Sequence, residues 1–508
     1  MNVGQLLTIQ ARKYPDRIAL IWGERRFSYR EFNERANRFA NFLLRFGLKK
    51  GEKVATLLRN SNPLLEVFLG TAKVAGVFTP INFRLTAEEV AHFLDYSDAR
   101  IFIFGEEFSS LLAAIGPRLG KVKFFVSTGE KIQQETFCYE TLLAESKNRE
   151  PKRSVAERDE CQLLYTSGTT GRSKGAILTH GNVLWNLFNT LPVREDREGE
   201  VSLVIGPLYH AAALNNHFTI RLALAGTSIL IDHFDPQSVM ELIEKEKVNV
   251  ISGAPAMYHM LLNFPGVDQY DTRSITKCTT GAAILPEETK KRLMELFPNS
   301  NGIYDVYGTT EASPNITILR ATDSLRKQAC VGLPVPFSEV RIVDDRDQEV
   351  PRGEVGELIC QGPNIMKGYY KDPNATRETL KAGWLHTGDM ARMDEEGFVY
   401  IVDRKKDLII SGGENIYPRE VEEVLFRHPK IRDAAVIGVP DPVWGEAVRA
   451  FVVPREGETM EEEEVIAFCK RHLASYKKPK SVKFVESIPR NPSGKALKTL
   501  LRTQESAK

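Results

Sequence analysis

Short apolar runs of strand length alternate with longer stretches of helical period along the first two thirds of the chain, and this alternation limits the fold more than any other feature. KVATLL (53–58) is followed by PLLEVFLGTAKVAG, and TSILI (227–231) by PQSVMELIEKEK and then VNVISG (248–253). Strands that recur only after a helix cannot form hairpins; they pair in parallel, and the helices cover the sheet faces. After Arg341 the texture changes, with VRIVDD, GELICQG and FVYIVD separated by charged or glycine turns, the pattern of antiparallel strands. The C-terminal stretch reads as a small α+β unit, with EVEEVLFRH and MEEEEVIAFCKRHLASY helical and DAAVIGVP and RAFVVP extended. The expected fold class is α/β, with a large N-terminal domain over 1–402, a hinge at 403–406 in the charged run DRKKD, and a C-terminal domain over 407–508.

The chain has 508 residues, which at roughly 150 residues per domain predicts about three domains or subdomains. Lys and Arg total 68 against 67 Asp and Glu, so a nucleic acid is not expected as a partner. The six cysteines include no CxxC pair, which argues against a disulfide framework or a cysteine-rich zinc site and for a reducing, cytoplasmic setting. The N-terminal stretch carries Arg12, Lys13, Asp16 and Arg17 and lacks the apolar core of a secretion signal. Val201 to Ile220 contains no Lys, Arg, Asp or Glu, but Gly206, Pro207, His210, Asn215, Asn216 and His217 mark it as strand, loop and helix start. No transmembrane segment is expected; a peripheral membrane contact, and the choice between monomer and homodimer, stay open.

YTSGTTGRSKG (165–175) follows the apolar run CQLL and is rich in glycines and hydroxyls. Glycines let backbone N–H groups turn inward, Thr166, Ser167, Thr169 and Thr170 supply hydroxyls, and Lys174 adds a cation, a set suited to polyphosphate. It is not a Walker loop, because Lys174 lies between Ser173 and Gly175. On composition alone an ordinary surface loop fits as well.

The whole string resembles the signature of the adenylate-forming superfamily of acyl-CoA synthetases, luciferases and peptide-synthetase adenylation domains. Further strings match in the family's order: PLYH (207–210), GAA (281–283), DVYGTTE (305–311), HTGD (386–389), DRKKDLIISGGENIYPREVE (403–422) and PRNPSGK (489–495). One short match is weak; an ordered set spanning nearly the whole chain is not. The chain is thereby identified as similar to the AMP-forming acyl-CoA synthetases, closest to the fatty-acyl and aryl-CoA ligase branch. Ser173 stands where the family has Pro. The resemblance implies a distorted antiparallel barrel beside the parallel sheets and a mobile C-terminal domain.

It also implies the chemistry. A carboxylate attacks the α-phosphate of ATP, pyrophosphate leaves, and CoA then takes the acyl group, so the protein must neutralise two meeting anions. Lys495 matches the lysine that bridges carboxylate and α-phosphate. Glu311, with Thr166, would hold Mg²⁺, a cation that prefers hard oxygen ligands beside phosphates. Thr310 would contact the α-phosphate and Tyr307 the adenine, with Asp305 accepting from the adenine amine. Ser167, Gly168, Thr169, Thr170, Gly171 and Lys174 would surround the phosphates, and Gly281, Ala282, Ala283, Gly308 and Thr309 would complete the nucleotide site. Asp389 resembles the carboxylate that grips the ribose hydroxyls, and Arg404 the cation near ribose and phosphates. His210 would stand near the acyl carboxylate, where a buried core histidine is the rival reading. Lys406 matches the pivot of the hinge, and Ser411, Gly412 and Gly413 the thiol tunnel. Taken alone, Lys495 reads as a solvated lysine, Tyr307 as core and DRKKD as a linker.

His210, Ala211, Ala212, Ala213, Leu214, Asn215, Gly281 and Gly308 match acyl-pocket positions. Apart from His210, Leu214 and Asn215 these are Gly or Ala, which leaves room for an acyl chain, and no Lys or Arg lies in these stretches, so an apolar monoacid is favoured over a dicarboxylate. A fatty acid of medium to long chain is the expected substrate. Hydroxycinnamate-type aryl acids, transfer to a carrier protein, luciferase-like oxidation and a non-catalytic sensor are the alternatives.

Overall fold

The computed structural model describes residues 1–129, 136–166, 173–281, 283–412, 414–490 and 496–506. It divides into two compact units: Met1–Val340 with Cys360–Leu385, and Arg341–Ile359 with His386–Lys508. This division differs from a single cut at 402/403. The charged run at 403–407 breaks the apolar pattern along the chain, whereas the compact units follow where side chains pack. The antiparallel strands read after Arg341 are thus shared between the units, and the run around Lys406 lies wholly inside the second.

Unit 1 holds two large sheets. In the first, Val201–Val204, Thr227–Leu230, Val250–Gly253, Lys277–Gly281 and Ile303–Gly308 are parallel, and Asn315–Leu319 adds antiparallel beyond Ile303–Gly308. In the second, Lys53–Leu57, Val77–Pro80, Ala99–Phe104 and Glu160–Thr166 are parallel, and Lys174–Thr179 returns antiparallel to Glu160–Thr166. The alternation of strand-length runs with helical stretches is what the parallel strands reflect: PLLEVFLGTAKVAG gives the helix Asn62–Lys73, buried along its whole length. The expected α/β class with layered parallel sheets holds. Among the described residues no helix is long and apolar enough to cross a membrane.

Strand register separates the two faces of the first sheet. Leu203, Ile251, Cys278 and Ile303 lie side by side and join one apolar core. Val204, Ser252 and Thr279 line up on the other face. The segment Val201–Ile220 resolves into a strand, a loop, a short helix Ala211–Ala213 and a π-helical turn Leu214–Phe218.

Unit 2 contains the α+β module. Ile431–Asp441 pairs antiparallel with Gly445–Pro454, Ser481–Phe484 joins in parallel, and the helices Pro418–Leu425 and Glu462–His472 belong to the same unit. Val421, Val424 and Leu425 of the first helix pack with Val436, Val448, Ala450 and Val452 of the strands.

Candidate active site

Two groups of expected residues assemble, one in each unit. In unit 1 the centre is a side chain that the sequence reading missed. Tyr369 donates its hydroxyl to Glu311 Oε1 at 2.7 Å, and its ring faces Lys174 Nζ at 5.0 Å from the centroid. Thr166 and Lys174 are register partners at the loop end of their hairpin, with Thr166 Oγ1 donating to the Lys174 carbonyl at 3.3 Å. The backbone of Glu311 is fixed by Met366 N–H, 2.7 Å from its carbonyl. One tyrosine therefore joins the stem of the hydroxyl-rich loop to the Glu311 carboxylate. Burial, and then the neighbouring Glu311 charge, hold the Tyr369 phenol far above its ordinary range, so it stays a donor. The string KGYY (367–370) could have flagged it: Gly368, at φ +148°, opens the short strand Gly368–Tyr369.

Glu311 Oε1 is engaged by Tyr369 alone among the described side chains, and Thr166 is half-buried beside the loop. One carboxylate and one hydroxyl are hard oxygen donors of the kind Mg²⁺ takes beside phosphates. Ser167, Gly168, Thr169, Thr170, Gly171, Ala282, Gly413 and Lys495 lie outside the described residues.

At the carboxyl end of Ile303–Gly308, Tyr307 and Thr310 are half-buried, and Thr309 has a buried hydroxyl without a partner among the described residues. Asp305 is buried with Lys290 Nζ 3.9 Å from its carboxylate. Ala283 is exposed.

His210 begins the short helix at the carboxyl side of the first sheet, against the Tyr209 ring at 4.4 Å; Tyr209 meets Phe83 edge-on at 5.5 Å. Burial, then the Arg84 charge, lower its pKa to about 4, so the imidazole is neutral at pH 7, and its buried Nε2 has no partner among the described residues. Ala211, Ala213 and Leu214 sit in the main core, Ala212 is exposed, and Asn215 exchanges two hydrogen bonds with Gln162 at 2.8 and 2.9 Å.

The two pocket glycines carry a different constraint from the one the sequence suggested. A Cβ on Gly281 would lie 2.9 Å from the Val306 carbonyl oxygen, and one on Gly308 only 1.8 Å from that of Pro314. Glycine at these positions admits a neighbouring backbone, so neither measures room for an acyl chain.

In unit 2, Asp389 and Arg404 are register partners on paired strands, with Arg404 Nε 2.7 Å from Asp389 Oδ1. Glu357 organises the HTGD turn, accepting from Gly388 N–H at 3.1 Å and pairing with Lys405 Nζ at 3.1 Å. Burial raises the Glu357 pKa, but Lys405 and His386 outweigh it and hold the carboxyl below its ordinary range. Lys406 is exposed in the turn Lys405–Asp407. Ser411 ends a short strand, and Gly412, at φ +60°, packs under Trp444, whose carbonyl accepts its N–H at 2.8 Å.

Comparison with known proteins shows the family. The AMP-binding enzyme family matches residues 7–370 and the AMP-binding enzyme C-terminal domain matches 420–495. A feruloyl-CoA synthase of Amycolatopsis sp. is 39% identical over 97% of both chains. The long-chain-fatty-acid–CoA ligase FadD13 of Mycobacterium tuberculosis is 34% identical over 100% of this chain and 99% of its own. The anthranilate CoA ligase AuaEII, solved with anthranoyl-AMP, superposes with a TM-score of 0.92 at 25% identity, covering 100% of this chain and 98% of that one. The chain belongs to the AMP-binding enzymes of the adenylate-forming superfamily, among the AMP-forming acyl- and aryl-CoA synthetases.

Proposed function

We propose that this ligase activates an aromatic carboxylic acid of the hydroxycinnamate type. The observation that carries the reading is the 39% identity with feruloyl-CoA synthase along 97% of both chains, against 34% with the long-chain ligase. The glycines at 281 and 308, whose small size had favoured a long acyl chain, answer instead to backbone contacts. A fatty acid of medium to long chain is the second reading, supported by the end-to-end match to FadD13.

In this proposal Glu311 and Thr166 hold Mg²⁺, which screens the ATP phosphates when bound. Lys174 and the hydroxyl-rich loop contact the phosphates, Thr310 the α-phosphate, Tyr307 the adenine, and Asp389 with Arg404 the ribose. Neutral His210 stands at the acyl carboxylate without adding charge. Lys495 bridges the carboxylate and the α-phosphate in the first half-reaction. Rotation at Lys406 then exchanges it for Ser411 and Gly412 at the thiol, so one site serves two reactions.

The reading is tested by measuring kcat/KM for thioester formation with 4-hydroxycinnamate, benzoate, octanoate and palmitate. The hydroxycinnamate is expected to exceed both fatty acids by about tenfold or more, the scale of a well-fitted polar contact. A preference for octanoate or palmitate would overturn it in favour of the second reading.

A further inference from the structure

The π-helical turn Leu214–Phe218 directs three consecutive polar side chains to different partners. Asn215 is taken by Gln162, and Asn216 Oδ1 accepts from Arg194 Nη1 at 3.1 Å and from Asn315 Nδ2 at 2.8 Å. His217 reaches the strand Val250–Gly253, where its Nε2 lies 2.7 Å from Ser252 Oγ. Extra-wide turns of this kind recur at functional positions because they re-aim side chains that a regular helix would stagger.

Ser252 stands one residue from the carboxyl end of the central strand Val250–Gly253, on the face it shares with Val204 and Thr279. Ligands of open parallel sheets bind beyond such strand ends. Both Ser252 and His217 keep part of their surface accessible.

His217 Nδ1 is buried and has no partner among the described residues. Burial, and then the Arg194 and Arg221 charges, lower the His217 pKa to about 3, so the ring is neutral at any physiological pH. Whichever tautomer Ser252 selects, Nδ1 offers one neutral hydrogen bond, as donor or as acceptor. A hydroxyl complements either state. The methyl end of a fatty acid complements neither, and would leave the buried nitrogen unsatisfied.

We infer that His217, positioned by Ser252, is a specificity-determining residue that hydrogen-bonds the ring hydroxyl of the acyl group. This rests on the aromatic-acid reading above.

Two acids of the same shape, 4-hydroxycinnamate and cinnamate, isolate the contact. In the wild-type enzyme kcat/KM for the hydroxylated acid is expected to exceed that for cinnamate by about tenfold or more, since a site built to bond a hydroxyl rejects the analogue lacking it. In His217→Leu the ratio should fall to near one, through loss on 4-hydroxycinnamate, while cinnamate stays within about threefold of wild type. Ser252→Ala should give an intermediate ratio, and His217→Gln, which keeps a neutral donor and acceptor, should restore part of the preference. If His217→Leu is not recovered folded, the ratio in Ser252→Ala decides. Equal loss on both acids, or an unchanged ratio, overturns the assignment while leaving the aromatic reading intact. A wild-type enzyme that uses palmitate and neither aromatic acid overturns both.

Discussion

Tyr369 is the residue on which unit 1's polar site turns, because a single phenol ties Glu311 to the stem of the hydroxyl-rich loop. Removing its hydroxyl takes a hydrogen bond from a carboxylate, worth about 1.5 to 3 kcal/mol. Tyr369→Phe should therefore lower acid-dependent pyrophosphate release by about tenfold or more at subsaturating Mg²⁺ and ATP, with part of the loss recovered at high Mg²⁺. Unchanged kinetics in a folded variant would mean that Glu311 needs no orientation. Asp389 poses a separable question in unit 2, where its carboxylate already pairs with Arg404. Asp389→Ala should weaken ATP binding by about 1.5 to 3 kcal/mol in calorimetry and leave binding of the acid alone nearly unchanged. Intact ATP affinity would remove it from the ribose site.

Elements explain which of these residues the sequence could reveal. Glu311, Asp389 and Lys174 were legible because each sits in a string whose order along the chain is diagnostic. Tyr369 was not, because its role arises where a strand near residue 368 pairs with Lys174–Thr179, almost two hundred residues earlier in the chain. His217 was hidden for another reason: a sequence of Leu, Asn, Asn and His does not announce a π-helical turn, and without that turn its partner on the sheet cannot be inferred. The parallel strands were legible from periodicity, whereas the glycines were misread as empty space, since the approach of Pro314 to Gly308 is a tertiary fact. Gly308→Ala is accordingly expected to cost about 3 kcal/mol or more in folding stability, as overpacking against backbone cannot relax through a side chain. Gly353→Ala is the comparison: nothing lies within 4 Å of its Cβ position and φ is +87°, so strain alone should cost about 1 kcal/mol. Equal melting temperatures for the two variants would contradict this.

At the scale of the molecule, three buried neutral histidines set an acid limit. Burial is the first cause at each: His180 and His210 are lowered to about 4 and His217 to about 3, from 6.5. In the pH window from 6.5 down to these values the unfolded chain binds protons that the folded chain refuses. Stability should therefore rise with pH across roughly 4 to 6.5, by up to about 1.4 kcal/mol per pH unit for each histidine, and level off above it. Chemical denaturation at a series of pH values checks the slope, and a His180→Gln variant should show a shallower one. A flat profile through the window would place these imidazoles in contact with water.

The central claim is that the chain joins an acid to CoA through an adenylate, and pyrophosphate and AMP report the two halves separately. Incubated with ATP, Mg²⁺ and 4-hydroxycinnamate but no CoA, the enzyme should release about one pyrophosphate per active site and retain the adenylate; adding CoA should then release AMP in step with the thioester. Release of ADP, or AMP formation that does not depend on the acid, would contradict it.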